Sequence, residues 1–204
     1  MKAMNKGLLF VISGPSGSGK DTVLSEVFKV FPDLNFSISV ITRPMREGET
    51  ADGKYRFISR SEFEKMIENG ELLEHNEFVG NYYGTPRKYV EDCLNAGKDV
   101  MIEVDVNGAE QIREKMPEAI SIFVCPPSYE VLKKRLTARG TDGSKTVEKC
   151  LAASIGEIKR AKEYDYIVVN DDLSEAVDNT VSIIKSAKLK SERNTGIING
   201  IVNN

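Results

Sequence analysis

The stretch Gly14-Pro15-Ser16-Gly17-Ser18-Gly19-Lys20 combines the residue types that a phosphate group demands. Glycines let the backbone curl so that several N–H groups converge on one anion, and the helix start that follows adds its positive dipole end. G-x-x-x-x-G-K, directly after an apolar run and directly before a helical pattern, reads as a P-loop for a nucleoside triphosphate. Lys20 would neutralise β- and γ-phosphate charge, most of all while a phosphoryl group moves. A glycine-rich turn with a surface lysine is the bland competitor, and strand, loop and helix together disfavour it. The motif expects Ser or Thr after the lysine, whereas this chain has Asp21 and then Thr22. Asp21 has three roles open to it: holding magnesium, directly or through water; starting the helix, where a carboxylate is favourable; or repelling the nucleotide phosphates.

A second set of chemically able residues lies in 37–105. Arg43 and Arg46, three apart, can fork onto one phosphate monoester, and Tyr55 and Tyr83 can add hydroxyl donors. Guanine offers N1–H and an exocyclic amine on one edge, which carboxylates such as Glu74 and Asp105 accept; its O6 and N7 take hydrogen bonds from hydroxyls such as Ser39 and Thr85. Taken singly, two arginines are more often an exposed charged pair, and Glu74 a solvated strand residue. Asp105 is the exception, because it ends an apolar strand at the edge where α/β sheets bind ligands.

These residues need a scaffold, and the chain supplies one. Its 204 residues, 40% hydrophobic and 29% charged, suit one domain with a packed core and perhaps an inserted lobe. Leu8–Ile12, Val100–Val104, Ile120–Val124 and Tyr166–Val169 are short continuous apolar runs, as expected of strands buried on both faces of a parallel sheet. Helical patterns separate them over 21–31, 108–115, 129–139, 146–164 and 174–190. The predicted fold is therefore α/β, a three-layer P-loop core with a parallel sheet. The segment 37–96 breaks the rhythm and reads as a small inserted α+β lobe. In it, Ser61-x-x-Glu64 is expected to box the start of a helix running to Asn69, and 80–84 to form a turn. A loop is expected over 140–146, and a polar, frayed tail over 191–204.

Charge and cysteines exclude other classes. Lys and Arg total 28 against 31 Asp and Glu, too balanced for a dedicated nucleic-acid binder. Cys93, Cys125 and Cys150 are odd in number and more than 20 residues apart, so they suit neither a disulfide framework nor a CxxC metal site, and the one histidine, His75, makes no zinc centre with them. The apolar run Leu8–Ile12 is too short for a signal or a membrane span. A cytoplasmic protein with no membrane partner is expected.

The ordered motifs GPSGSGK, TRPMREGE, GNYYGTP, EVDVNGA, KKRLTARGT and YDYIVVNDD resemble those of the guanylate kinases, from about Gly7 to Asp172. The resemblance implies ATP + GMP giving ADP + GDP with Mg²⁺, with dGMP left open as an acceptor and a monomer or homodimer as the assembly. It implies a core at 1–36 and 97–190, a GMP-binding lobe at 37–96 and a lid at about 128–160. It makes Ser39, Arg43, Arg46, Tyr55, Glu74, Tyr83, Thr85 and Asp105 the GMP contacts. The P-loop residues with Asp21 and Thr22 would hold ATP, Arg135 and Arg139 would face it from the lid, and Asn170 would lie near the adenine. Lys20, Arg43, Arg135 and Arg139 would then carry the transfer. The family usually has another arginine where this chain has Cys150, and Lys145, Lys149 or Arg160 could supply that charge. A silent binding module of the same family is the competing reading, and intact Lys20 argues against it. A small-molecule kinase for another acceptor would lack use for the guanine-reading set, and a regulatory GTPase would need an Asn-Lys-x-Asp motif that the chain lacks.

Overall fold

The computed structural model describes residues 6–45, 49–50, 53–78, 80–138 and 144–202, with no side-chain description for 144–147. At its centre β1 (Leu9–Ser13), all five residues buried, runs parallel between β7 (Val100–Glu103) and β8 (Ile120–Cys125). With β2 (Asn35–Phe36) and β9 (Tyr166–Val169) outside them, the sheet order is β2-β7-β1-β8-β9, parallel throughout. Chain order reverses direction at β1. The crevice beyond its C-terminal end is therefore the topological switch point, where open α/β sheets receive ligands.

Alternate residues of β1 feed two cores, as a doubly covered strand requires. Phe10 and Ile12 pack with Val23, Leu24 and Val27 of α1 (Lys20–Val30) and with α7 (Leu173–Lys188). Ala176, Val177, Val181 and Ile184 recur at helical spacing on the buried face of α7. Leu9 and Val11 pack on the other side against α3 (Arg87–Asn95) and α4 (Val106–Lys115). This is the three-layer α/β core expected from the alternating pattern.

A second sheet, order β4-β3-β6-β5, comprises β3 (Ser39–Ile41), β4 (Tyr55–Phe57), β5 (Leu72–Phe78) and β6 (Asn81–Pro86). It packs Val40 and Leu72 against Phe63 of α2 (Arg60–Glu68). Two local expectations fail here. The capping box is Ser59 with Glu62, not Ser61 with Glu64: Ser59 has extended backbone, and each partner satisfies the other's N–H. Starting two residues earlier also frees Glu64 to pair with Arg60 one turn back. The segment 80–84 is not a turn beyond Gly80; Tyr82 and Tyr83 are strand residues, and a β-carbon on Gly84 would stand 2.9 Å from Phe63 Cζ and 3.0 Å from the Glu74 carbonyl oxygen.

Other differences lie at the edges. β9 ends the sheet, so Ile167 and Val169 stay about half exposed and not buried on both faces. α5 (Tyr129–Ala138) leads into α6 (Ser144–Lys159), which stops short of Tyr164. A 3-10 turn over Ala161–Glu163 follows, and Tyr164 leaves it to pack edge-on against Phe123. The segment expected to fray carries a 3-10 turn, Ser191–Arg193, and α8 (Thr195–Val202). Its Ile197, Ile198, Ile201 and Val202 give it the aliphatic content of a helix. Part of the expected loop at 140–146 lies outside the described residues.

Candidate functional site

The P-loop leaves β1 at the switch point and enters α1 through Gly19, which adopts a left-handed backbone (φ 86°). A side chain there would also press its β-carbon to 2.3 Å from Asn170 Nδ2, so glycine is required twice over. The N-cap is Gly19, which has no side chain to cap α1 and so leaves first-turn N–H groups open toward the crevice. Lys20 Nζ folds back and donates to the carbonyls of Gly14 (2.6 Å) and Pro15 (3.3 Å). Burial pushes this ammonium below its ordinary value, while Glu103, Asp21 and Glu157 pull it part of the way back.

Facing the loop across a cleft of about 530 Å³ is the second sheet. The cleft wall joins the loop residues Gly14, Ser16, Gly17, Gly19 and Lys20, together with Asp21 and Thr22, to Ser39, Tyr55, Glu74, Tyr83 and Asp105. Residues separated by nearly the whole first half of the chain thus share one space. Pro15 and Ser18 sit buried inside the loop, and Ser18 Oγ finds no hydrogen-bond partner among the described residues.

Glu74 is 5% exposed, and its Oε1 accepts from Thr85 Oγ1 at 2.7 Å. Burial pushes its carboxyl up to about 7; the Thr85 hydroxyl lowers it and the nearby Asp105 charge raises it further. Thr85 therefore lies beneath Glu74 and positions it without lining the cleft. Asp105 does double duty. One oxygen caps α4, accepting from the backbone N–H of Asn107 and Gly108 (2.9 and 2.8 Å), and the other accepts from Asn76 Nδ2 (2.6 Å).

Arg43 does not line the cleft here. Its guanidinium donates bidentately to Glu49 (2.6 and 2.5 Å) and lies 5.4 Å from the Tyr55 ring centre. The Glu49 hydrogen bonds raise its pKa against the effect of burial. Arg46 and Arg139 lie outside the described residues. Arg135 donates to the carbonyls of Ser18 (3.4 Å) and Asn170 (2.9 Å), and Asn170 Nδ2 donates to Ser18 O (2.8 Å). Both border a neighbouring hollow of about 340 Å³ with Gly17, Gly19 and Thr22, on the outer side of the loop.

Several participants escaped the sequence reading. Lys54 bridges Asp21 (2.5 Å) and Glu103 (2.6 Å). Glu103 ends β7 at the same sheet edge as Asp105, a signal that was available. Glu157 reaches the cleft from α6, where burial raises its carboxyl pKa despite Lys20; its spacing carried no hint. Cys150 packs toward Leu132, Leu136 and Leu151 between α5 and α6. Arg160, one candidate to replace its charge, is committed to Asn107, Glu110 and Glu163.

A guanylate kinase family model matches residues 6–187. The chain belongs to the guanylate kinase family. It is 47% identical over 188 residues to the guanylate kinase of Oceanobacillus iheyensis, covering 92% of this chain and 91% of that one. It is 43% identical over 197 residues to that of Desulfitobacterium hafniense, covering 97% and 98%. Among solved structures, the guanylate kinase of Anaplasma phagocytophilum superposes with a TM-score of 0.76 at 34% identity, covering 93% of this chain and 90% of that one. The guanylate kinase motifs quoted from the sequence all fall within the matched span. Two of them far apart in sequence, the P-loop and the strand end at Glu103–Asp105, meet in the cleft.

Proposed function

We infer that this cleft moves the γ-phosphate of ATP onto GMP, yielding ADP and GDP. The observation that carries the reading is one continuous cleft walled by a P-loop on one side and by Ser39, Tyr55, Glu74 and Tyr83 on the other. A GMP phosphate oxygen forms a bond to the γ-phosphorus while the bond from that phosphorus to the β,γ-bridging oxygen breaks. The attacking phosphate is already ionised near neutral pH, so no general base is needed. Catalysis is positioning plus charge neutralisation.

The family's motifs and the contacts of the described residues support these roles. Lys20 exchanges its loop carbonyls for phosphate oxygens and follows the transferring group. Arg43, with Arg46, Tyr55 and Tyr83, takes the GMP phosphate; Arg43 gives up Glu49 to do so. Glu74 and Asp105 accept from the guanine edge, with Ser39 beside them and Thr85 holding Glu74. Arg135 and Arg139 serve ATP from the lid, and Asn170 braces the loop next to the adenine end. The lobe at 37–96 and the lid at about 128–160 close on the core at 1–36 and 97–190 to exclude water.

The cleft suits Mg²⁺ carried in on ATP: its donors are oxygens, from Asp21, Thr22 and Glu103, and the described residues contain no His/Cys/Asp/Glu group able to hold a metal alone. When bound, the ion would neutralise phosphate charge, with the Thr22 hydroxyl to hold it and Asp21, paired to Lys54, reaching it through water. We place the enzyme in the cytoplasm, a reading supported by three free thiols. Among the described residues no helix is long and apolar enough to cross a membrane.

The test is ADP release from ATP and Mg²⁺ with GMP, AMP, UMP or no acceptor. GMP alone should support turnover, and Lys20→Ala should lose it by about a hundredfold or more. Equal turnover with AMP or UMP would reject the guanine-reading roles of Glu74 and Asp105.

A further inference from the structure

Asp21 stands one residue beyond the P-loop lysine and lines the cleft in which the ATP triphosphate and the GMP phosphate must meet. Glu103 adds a second carboxylate to the same wall. Left uncompensated, both would oppose binding. The cation that meets them comes from the other side of the cleft: Lys54, next to Tyr55 and its strand β4, reaches Asp21 at 2.5 Å and Glu103 at 2.6 Å.

We propose that Lys54 is a positioning residue for phosphoryl transfer, the counter-charge that makes Asp21 tolerable at the P-loop and ties the inserted sheet to the core across the cleft. The two arms of the bridge differ in shelter. The Glu103 side chain is 14% exposed and the Asp21 side chain 70%. The sheltered arm anchors the lysine and so keeps it beside the solvated Asp21 carboxylate when the phosphates arrive. Lys54 also acts on the same space as Lys20, whose ammonium it helps to push down.

This inference rests on the phosphoryl-transfer reading, and its test separates the two. ATP affinity is measured by calorimetry, and KM and kcat for ATP and GMP by ADP release, in the unmodified protein, Lys54→Met, Lys54→Arg, Asp21→Asn and the Lys54→Met/Asp21→Asn pair. Lys54→Met should weaken ATP affinity and raise the KM for ATP about tenfold, and Lys54→Arg should restore most of the loss. In the Asp21→Asn background the same Lys54→Met step should cost about twofold or less, because only the sheltered Glu103 charge then remains for it to cancel. Added salt should shrink the penalty in the Asp21 background. An equal penalty in both backgrounds, or Lys54→Arg behaving like Lys54→Met, overturns the proposal. GMP turnover by the unmodified protein with no Lys54→Met effect overturns the Lys54 role alone. If the unmodified protein fails to phosphorylate GMP, the reaction reading falls, and the calorimetric cycle still decides the Lys54 claim.

Discussion

Gly108 lies directly against Glu74: a β-carbon on Gly108 would stand 2.6 Å from Glu74 Oε2. Glu74 is buried and held by Thr85, so it cannot simply swing aside. Gly108 sits in the first turn of α4, where its N–H also donates to Asp105. One small residue thus lets the two carboxylates proposed to read guanine approach each other.

Gly108→Ala should accordingly harm GMP binding without unfolding the protein. In a helix, alanine ordinarily stabilises relative to glycine by about 1 kcal/mol. Here that gain is offset by displacement of Glu74. The expected outcome is a KM for GMP raised about tenfold or more with little change for ATP, since each 1.4 kcal/mol of lost contact is tenfold. Steady-state kinetics with each substrate varied, alongside a melting curve, checks it; a parallel rise in both KM values would contradict the placement.

The Glu74 carboxyl sets a pH dependence. Its folded-state pKa is raised to about 7 from an ordinary 4.5, with burial the largest cause. Between those values the folded protein holds a proton that the unfolded chain has released, so stability falls as pH rises from about 4.5 to about 7 and is flat above. Guanine recognition runs the other way, because only the ionised carboxylate accepts two donors. GMP affinity should therefore improve as pH rises through 7, beyond the change caused by the GMP phosphate itself. Glu74→Gln, measured by calorimetry from pH 5.5 to 8.5, should flatten that extra component and weaken binding throughout. Identical pH profiles for the two proteins would remove Glu74 from the base site.

Glu49 occupies the guanidinium that the acceptor phosphate is proposed to take. Glu49→Gln weakens this competitor from a charged to a neutral partner. The KM for GMP should fall by about two- to threefold, the scale of a partly exposed ion pair. A raised KM would instead mean that Glu49 holds Arg43 in its productive position.

Cys150 packs in the small cluster of Leu132, Leu136 and Leu151. Cys150→Arg, which restores the residue the family usually carries, forces a charge toward that cluster. We expect a loss of about 1–2 kcal/mol, seen as a melting temperature lower by about 5 °C, and no gain in kcat. A faster enzyme of unchanged melting temperature would show that an arginine at position 150 reaches the cleft.

Residue types and their spacing carried the phosphate ligand and the layered core, and the guanylate kinase resemblance carried the reaction. GPSGSGK after a fully apolar strand is a local statement: spacing and residue type dictate the loop, and the loop dictates a phosphate ligand. Buried β1 and the helical periodicity of α7 were legible for the same reason, because a strand's or a helix's own pattern records which faces meet the core. Where two local patterns competed, reading failed: Ser59 and Ser61 both precede a glutamate by three, and only the packing of Phe63 and the Arg60–Glu64 pair separated them. Relations between distant residues became visible only in the folded chain. Arg43 turned to Glu49, Lys54 spanning Asp21 and Glu103, Glu157 entering from α6 and Gly108 pressed on Glu74 leave no periodic trace in the chain. A charge carries no pattern that names its partner, so its role emerges only when folding sets the distance between them.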